Sequence, residues 1–176
     1  NGKYYLYDWL PQAKDWTMCA SIDGIGKIGE FIRTGLDWEQ WDKNFREGVA
    51  LPGGNDKMLM DLTLTGPGMF GIKDLFDYAL ELDVKIETKR MFAFHDDIVM
   101  SPMAWPRHIL DRIIHENLDY IRPRATRKQE TLIRELENML NVPTFQEQWP
   151  DTAEDHFFNG RQWQKTIADM RPNEAL

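Results

Sequence analysis

Apolar positions along this chain change their spacing several times, and each spacing marks a different kind of element. The run Met58 to Thr65, Met-Leu-Met-Asp-Leu-Thr-Leu-Thr, is stopped by Gly66-Pro67-Gly68 and reads as a strand. Met69, Ile72, Phe76, Ala79 and Leu80 then recur at three- and four-residue steps, which predicts a helix laid against a sheet. Val84 to Phe94 is a further strand, and Thr17 to Asp23, with Met18 and Ile22 and closed by Gly24, an earlier one. Strand, helix and strand in this order predict parallel βα units with right-handed crossovers.

Helical spacing accounts for most of the rest. Tyr5 to Trp16 reads as a helix with Trp9, Leu10 and Ala13 on one side and Pro11 near its start. Asp37 is placed to cap a helix carrying Trp38, Trp41 and Phe45, which Gly48 ends; Trp38 and Trp41 share a face and read as core packing. Leu51 to Asn55 is loop by composition. Beyond Pro106 only helices are expected: one with Leu110, Ile113, Ile114, Leu118 and Ile121, and one with Leu132, Leu136, Met139 and Leu140 after a Thr126/Gln129 capping box. A third, opened by Asp151 and Glu154, carries Phe157, Trp163, Ile167 and Met170 and is weakened by Gly160.

Composition narrows the functional classes. The chain has 176 residues, 42% of them hydrophobic, enough for a real core. Its formal charge of 21 − 29 = −8 argues against a general nucleic-acid binder. No apolar run approaches the roughly 18 residues that cross a bilayer, and no basic-then-apolar leader opens the chain, so a soluble, cytoplasmic protein is expected. Cys19 is the only cysteine, which excludes a disulfide framework, a zinc ribbon or a three-thiolate iron–sulfur site made by this chain alone. The opening Asn1, followed at once by Tyr4, Tyr5, Tyr7 and Trp9, suggests a fragment.

Gly24-Ile25-Gly26-Lys27-Ile28-Gly29 matches G-x-G-x-x-G directly after a strand. A dinucleotide fold also needs a full helix, a prompt second strand and an acidic residue about 20 positions on. Here Gly35 cuts the helix, the next strand waits until Met58, and the acidic position falls near Asn44. His95-Asp96-Asp97 after a strand is the best metal-like cluster and grounds a second alternative, a divalent-metal barrel hydrolase or isomerase. Three adjacent residues cannot all converge on one point. His108, His115 and His156 lie on expected helices and read as surface or boundary residues.

Longer stretches point elsewhere. Ser21-Ile22-Asp23-Gly24-Ile25-Gly26, then Glu30-Phe31-Ile32-Arg33-Thr34-Gly35-Leu36-Asp37-Trp38-Glu39, and Asn44, resemble a segment of radical S-adenosylmethionine enzymes of the twitch and SPASM-like group. In that group a strand ends in Ser-x-Asp-Gly-x-Gly and an E-x-I-R-x-G-x-x-W-E stretch follows. Leu62-Thr63-Leu64-Thr65 is similar to the group's fifth barrel strand, and Ser101-Pro102-Met103-Ala104-Trp105-Pro106 to its turn after the sixth. Asn1-Gly2 is similar to the end of a T-N-G strand. The likeness covers roughly residues 1 to 121 and, more faintly, a final helix with Arg171.

The resemblance implies an α/β fold: residues 1–106 would be the second half of a partial (β/α)6 TIM-like barrel, and 107–176 a helical extension, a truncated twitch-like tail. The group's CxxxCxxC loop, which holds a [4Fe–4S] cluster after the first strand, is absent, and no cysteine after Cys19 could hold an auxiliary cluster. The complete protein would generate a 5′-deoxyadenosyl radical from S-adenosylmethionine; this chain alone would be inactive. Its partner would be the missing N-terminal half of the barrel, its substrate unknown; from the apolar-run lengths no membrane is expected, and the acidic balance disfavours nucleic acid. By the same resemblance Ser21 and Asp23 would lie beside the ribose of S-adenosylmethionine and Arg33 would face its methionine carboxylate, while the glycines of 24 to 29 would let the backbone pass close to the ligand. No metal ligand and no catalytic residue is assigned.

Blander readings stand beside these. Ser21 and Asp23 could end a strand and cap a turn, and Arg33 could be a surface ion-pair partner. The Arg122 to Lys128 cluster could bind an anion but reads more naturally as a solvated helix connection. A chain without catalysis could also act as a binding or complementing module, since a half barrel leaves a parallel-sheet edge and the inner faces of its strands open.

Overall fold

Strict alternation in Met58–Leu64 sets the architecture. A computed structural model describes residues 5–91 and 99–170, the side chains of 167 and 168 aside. Its sheet comprises β1 (Met18–Ile22), β2 (Met58–Leu64) and β3 (Lys85–Arg90), in the order β1-β2-β3. Both pairs are parallel, with Ser21 opposite Asp61 and Asp61 opposite Glu87. The three expected strands are thus neighbours running one way, an α/β arrangement; three strands alone do not make a barrel. The end of the expected third strand and His95-Asp96-Asp97 lie outside the described residues, as do Asn1-Gly2 and Arg171.

Along β2, Met58, Met60, Leu62 and Leu64 are at most 2% exposed, while Leu59, Asp61 and Thr63 between them are half-buried. Side chains of a strand alternate between faces, so one face of the sheet is covered, and among the described residues the other is left more open. The covering layer comprises α3 (Trp38–Val49), α5 (Ile72–Glu81), α6 (Arg107–Ile121) and α7 (Glu130–Asn141), whose apolar stripes join Ile22, Met60 and Ile86 in one core. Phe76, Leu110, Ile114, Leu118, Leu132 and Leu136 are fully buried there, each contributing about 1.5 to 3 kcal/mol by leaving water. Trp41 lies at the margin, partly buried and stacked between Trp38 at 5.4 Å and Phe45 at 4.8 Å.

Polar side chains stitch the helices to the sheet where apolar contact ends. Gln129 donates from Nε2 to the Val84 carbonyl at 3.1 Å, and Thr131 donates to the Ile86 carbonyl. Buried Asn117 donates to the carbonyls of Met69 at 3.2 Å and Ile113 at 3.0 Å. The helices beyond Pro106 therefore share the sheet's core. The basic run is engaged within the chain: Arg122 pairs with Glu137, Arg124 with Asp77, and Lys128 with Asp56 and Asp83.

Four details differ from the sequence reading. The first helix is only α1 (Leu6–Trp9), followed by a 3-10 turn over Leu10–Gln12, because Pro11 has no N–H to continue the ladder and Leu6 and Trp9 remain half exposed. The stretch read as loop after Leu51 ends in a single turn, α4 (Gly54–Lys57), entered through Gly53 at φ +69°. The Asp37 cap forms, its carboxylate accepting from the Gln40 N–H at 2.9 Å, but α3 runs through Gly48 to Val49. A second capping box, Thr144 with Glu147, opens α8 (Phe145–Gln148) beside the expected box at Thr126.

The last helix, α9 (Ala153–Met170), is unbroken at Gly160, which is buried. Its packing side is made by Ala153 and Gly160, so the larger Phe157, Trp163 and Met170 are 36%, 52% and 78% exposed. Of the expected apolar side, Phe157, Trp163 and Met170 thus contribute little to the core, and the Ile167 side chain lies outside the described ones.

Arg107 and Glu147 clamp the ends of α6, α7 and α8. Arg107 donates to the Met139 carbonyl at 3.1 Å and the Val142 carbonyl, and pairs with Glu147 at 2.8 Å. Arg107, and then the Thr144 N–H, hold the Glu147 carboxyl down at about 2, from an ordinary value of 4.5. A carboxylate depressed on folding stabilises fully above its ordinary pKa and loses that contribution as pH falls through the folded value. Melting temperatures of wild type should therefore fall between pH 4.5 and about 2 more steeply than those of Glu147→Gln, with the two curves parallel above that window.

Candidate functional site

The uncovered face gathers most of the chain's candidate chemistry. Register places Cys19 and Ser21 of β1, Leu59, Asp61 and Thr63 of β2, and Lys85, Glu87 and Lys89 of β3 on that side. Parallel sheets ordinarily carry helices on both faces and strands apolar throughout. Here seven of these eight positions are something other than an aliphatic side chain, Leu59 being the exception. Lys85 and Glu87 form an ion pair, and Lys89 Nζ contacts both carboxylate oxygens of Asp61 at 2.7 and 2.9 Å. Ser21 Oγ donates to Asp61 Oδ2 at 3.3 Å.

At the C-terminal rim the chain leaves β1 through Asp23 and Gly24 and enters α2 (Gly26–Ile32), seven residues long. Gly26 takes φ +55°, which a side chain would resist, and a Cβ on Gly29 would meet the Gly24 carbonyl oxygen at 2.2 Å. Gly26 thus serves the backbone of the turn, and Gly29 the tight internal packing of α2 on the strand end. The short helix and the late second strand are those that set the motif apart from a dinucleotide turn.

That packing returns Arg33, just past α2, to Asp23. Arg33 Nε donates to Asp23 Oδ2, and Nη2 lies 3.4 Å from Oδ1, a forked pair. Asp23 is 8% exposed, whereas the Arg33 side chain is 42% exposed. The Asp23 hydrogen bond is the main cause that raises the Arg33 pKa, and the Asp61 charge acts in the same direction. Of the three residues singled out in the sequence, Asp23 and Arg33 are in contact, and Ser21 is tied instead to Asp61.

The end of β2 is pressed against the same rim. Thr65 is buried and its Oγ1 accepts from the Gly68 N–H at 3.1 Å, while a Cβ on Gly68 would meet the Asp23 carbonyl oxygen at 2.7 Å. Ser101, in the turn likened to the sixth-strand turn, is buried and donates to the Met91 carbonyl at 2.8 Å, so its hydroxyl is structural.

Asp61 and Lys89 went unmarked in the sequence reading. The signal was present: strict alternation in Met58 to Thr65 puts Asp61 opposite the side that Met58, Met60 and Leu62 bury. Lys89 needed the register, which sequence alone does not give. Among the described residues no three His, Cys, Asp or Glu side chains are grouped to hold a metal, and no helix is long and apolar enough to cross a membrane. Comparison with protein-family models, curated proteins and solved structures finds no match to this chain.

The forked pair gives a direct prediction. Arg33→Ala leaves a largely buried carboxylate without its cation and should cost about 1 to 2 kcal/mol in urea denaturation, toward the low end for charged hydrogen bonds because the arginine is half exposed. Lys27→Ala, which opens the exposed Lys27–Glu30 pair, should cost less than about 0.5 kcal/mol. The Asp23→Ala/Arg33→Ala double variant should lose less than the sum of the two single changes.

Proposed function

We propose that this chain is the second half of a radical S-adenosylmethionine barrel and contributes part of the S-adenosylmethionine site. The reading joins the sequence resemblance to one observation: a wholly parallel sheet covered on one face, whose other face is polar and bears an exposed guanidinium at the C-terminal rim. In a barrel of parallel strands the inner face needs no helices, and function gathers at the C-terminal strand ends. An isolated parallel sheet has no such reason to leave one face bare.

The residues suit a ligand carrying hydroxyls and a carboxylate. Arg33 keeps 42% of its side-chain surface exposed while paired, enough to meet a second carboxylate. Ser21 is exposed and gives its proton to Asp61, its partner at the same level of the sheet. Asp23 orients the guanidinium and retains lone pairs for a ribose hydroxyl. S-Adenosylmethionine on a [4Fe–4S] cluster, when both are bound in the complete protein, supplies radical chemistry. The cluster ligands would come from upstream, since Cys19 is the only thiol here. A non-catalytic module that completes another half barrel remains the second reading, favoured by the same bare face.

Anaerobic reconstitution with iron and sulfide should give no [4Fe–4S] absorbance for the 176-residue chain. A chain extended upstream through a cysteine loop should give that absorbance and cleave S-adenosylmethionine reductively. In the extended chain, Arg33→Ala or Asp23→Ala should weaken S-adenosylmethionine binding roughly 10 to 100-fold by calorimetric titration. Cleavage by the short chain alone, or unchanged affinity in both variants, would overturn the assignment.

A further inference from the structure

The bare face differs from the interior of a packed barrel in a way that bears on what it encloses. Barrel interiors are ordinarily filled by layers of bulky branched side chains. The layers set by the register here are Cys19, Leu59 and Lys85, then Ser21, Asp61 and Glu87, then Thr63 and Lys89. Such a lining does not close into a dry core, because paired charges buried without further hydrogen bonds cost more than they return. It suits a cavity that holds water or a polar ligand.

Within this lining one pair stands apart. Asp61 is hydrogen-bonded by Ser21 and ion-paired with Lys89, whose side chain is 57% exposed in the layer nearest the rim. Lys85 and Glu87 form a separate pair on β3 alone, with Lys85 in the lowest layer. With the lysine side chain this exposed, the pair opens at little cost. A ligand that brings one carboxylate and one ammonium can then satisfy Lys89 and Asp61 separately without leaving an unpaired charge. An anion alone would strand Asp61, and a cation alone would strand Lys89.

We infer that the Asp61–Lys89 pair is the recognition element for a zwitterionic, amino-acid-type substrate, with the substrate carboxylate on Lys89 Nζ and its ammonium on the Asp61 carboxylate. The inference rests on the half-barrel reading for the word substrate, and it leaves the Asp23–Arg33 rim to S-adenosylmethionine. Ser21, opposite Asp61 on β1, donates its proton to Asp61 in the resting pair.

The test uses glycine, the smallest such zwitterion, titrated into the full 176-residue chain and followed by amide chemical shifts. Saturable shifts should centre on Ser21, Asp61 and Lys89, and acetate or methylammonium alone at equal concentration should not produce them. Lys89→Gln and Asp61→Asn should each weaken glycine binding roughly tenfold or more, whereas Lys85→Gln should leave it within about twofold. S-Adenosylhomocysteine should bind without displacing glycine. Absence of saturable shifts, equal response to acetate, or insensitivity to Lys89→Gln would overturn the inference while leaving cluster assembly and S-adenosylmethionine cleavage by the extended chain untouched. Displacement of glycine by S-adenosylhomocysteine would also overturn it, by giving the pair to the cofactor's amino-acid end. Glycine binding that persists beside a failed cleavage test would instead remove the radical reading and keep the site.

Discussion

One-sided coverage of a parallel sheet is the constraint on which the rest of this structure depends. The alternation in β2 places four apolar side chains on one side and Leu59, Asp61 and Thr63 on the other, and every covering helix follows the apolar set. Because register sends β1 and β3 to the same division, a single choice of face fixes where the core lies and where chemistry can lie. The core is continuous: α5, α6 and α7 bury Phe76, Leu110, Ile114, Leu118, Leu132 and Leu136 in one cluster with Met60, Leu62 and Ile86.

The open face and the rim divide the polar work. At the rim, glycine-permitted packing of α2 against the end of β1 turns Arg33 back onto Asp23, so the guanidinium is held by a carboxylate that is itself nearly buried. This holds one charged group in place with part of its surface toward solvent. On the strands, Ser21, Asp61 and Lys89 form a second linked set whose members come from three different strands. Their electrostatic contact with the rim runs through Asp61, which also acts on Arg33. The two sets are each charge-balanced, and both lie toward the C-terminal side of the parallel sheet.

Much of the scaffold was legible in the sequence because hydrophobic period and stop signals are local. Gly24, Gly66-Pro67-Gly68 and the 58–65 alternation located the strands, and the spacing from Met69 to Leu80 located α5. Where local signals competed, the reading failed in instructive ways. Pro11 broke a helix that had no buried face to extend it, and α9 buried its small residues while its aromatic ones stayed largely outside. For the site, Ser21, Asp23 and Arg33 were visible as a motif, but their partners were not. That Arg33 returns to Asp23 depends on a chain reversal, and that Lys89 meets Asp61 depends on strand register; neither is written in one window of sequence.

The central claim is that the bare face is the inside of a barrel completed from upstream. It is tested most directly by the structure of a chain extended into whatever coding sequence precedes Asn1. The account predicts that the added strands run parallel to β1, continue the sheet from its free edge and enclose Ser21, Asp61 and Lys89 in a shared cavity. A helix laid flat over that face, or an added strand antiparallel to β1, would contradict it.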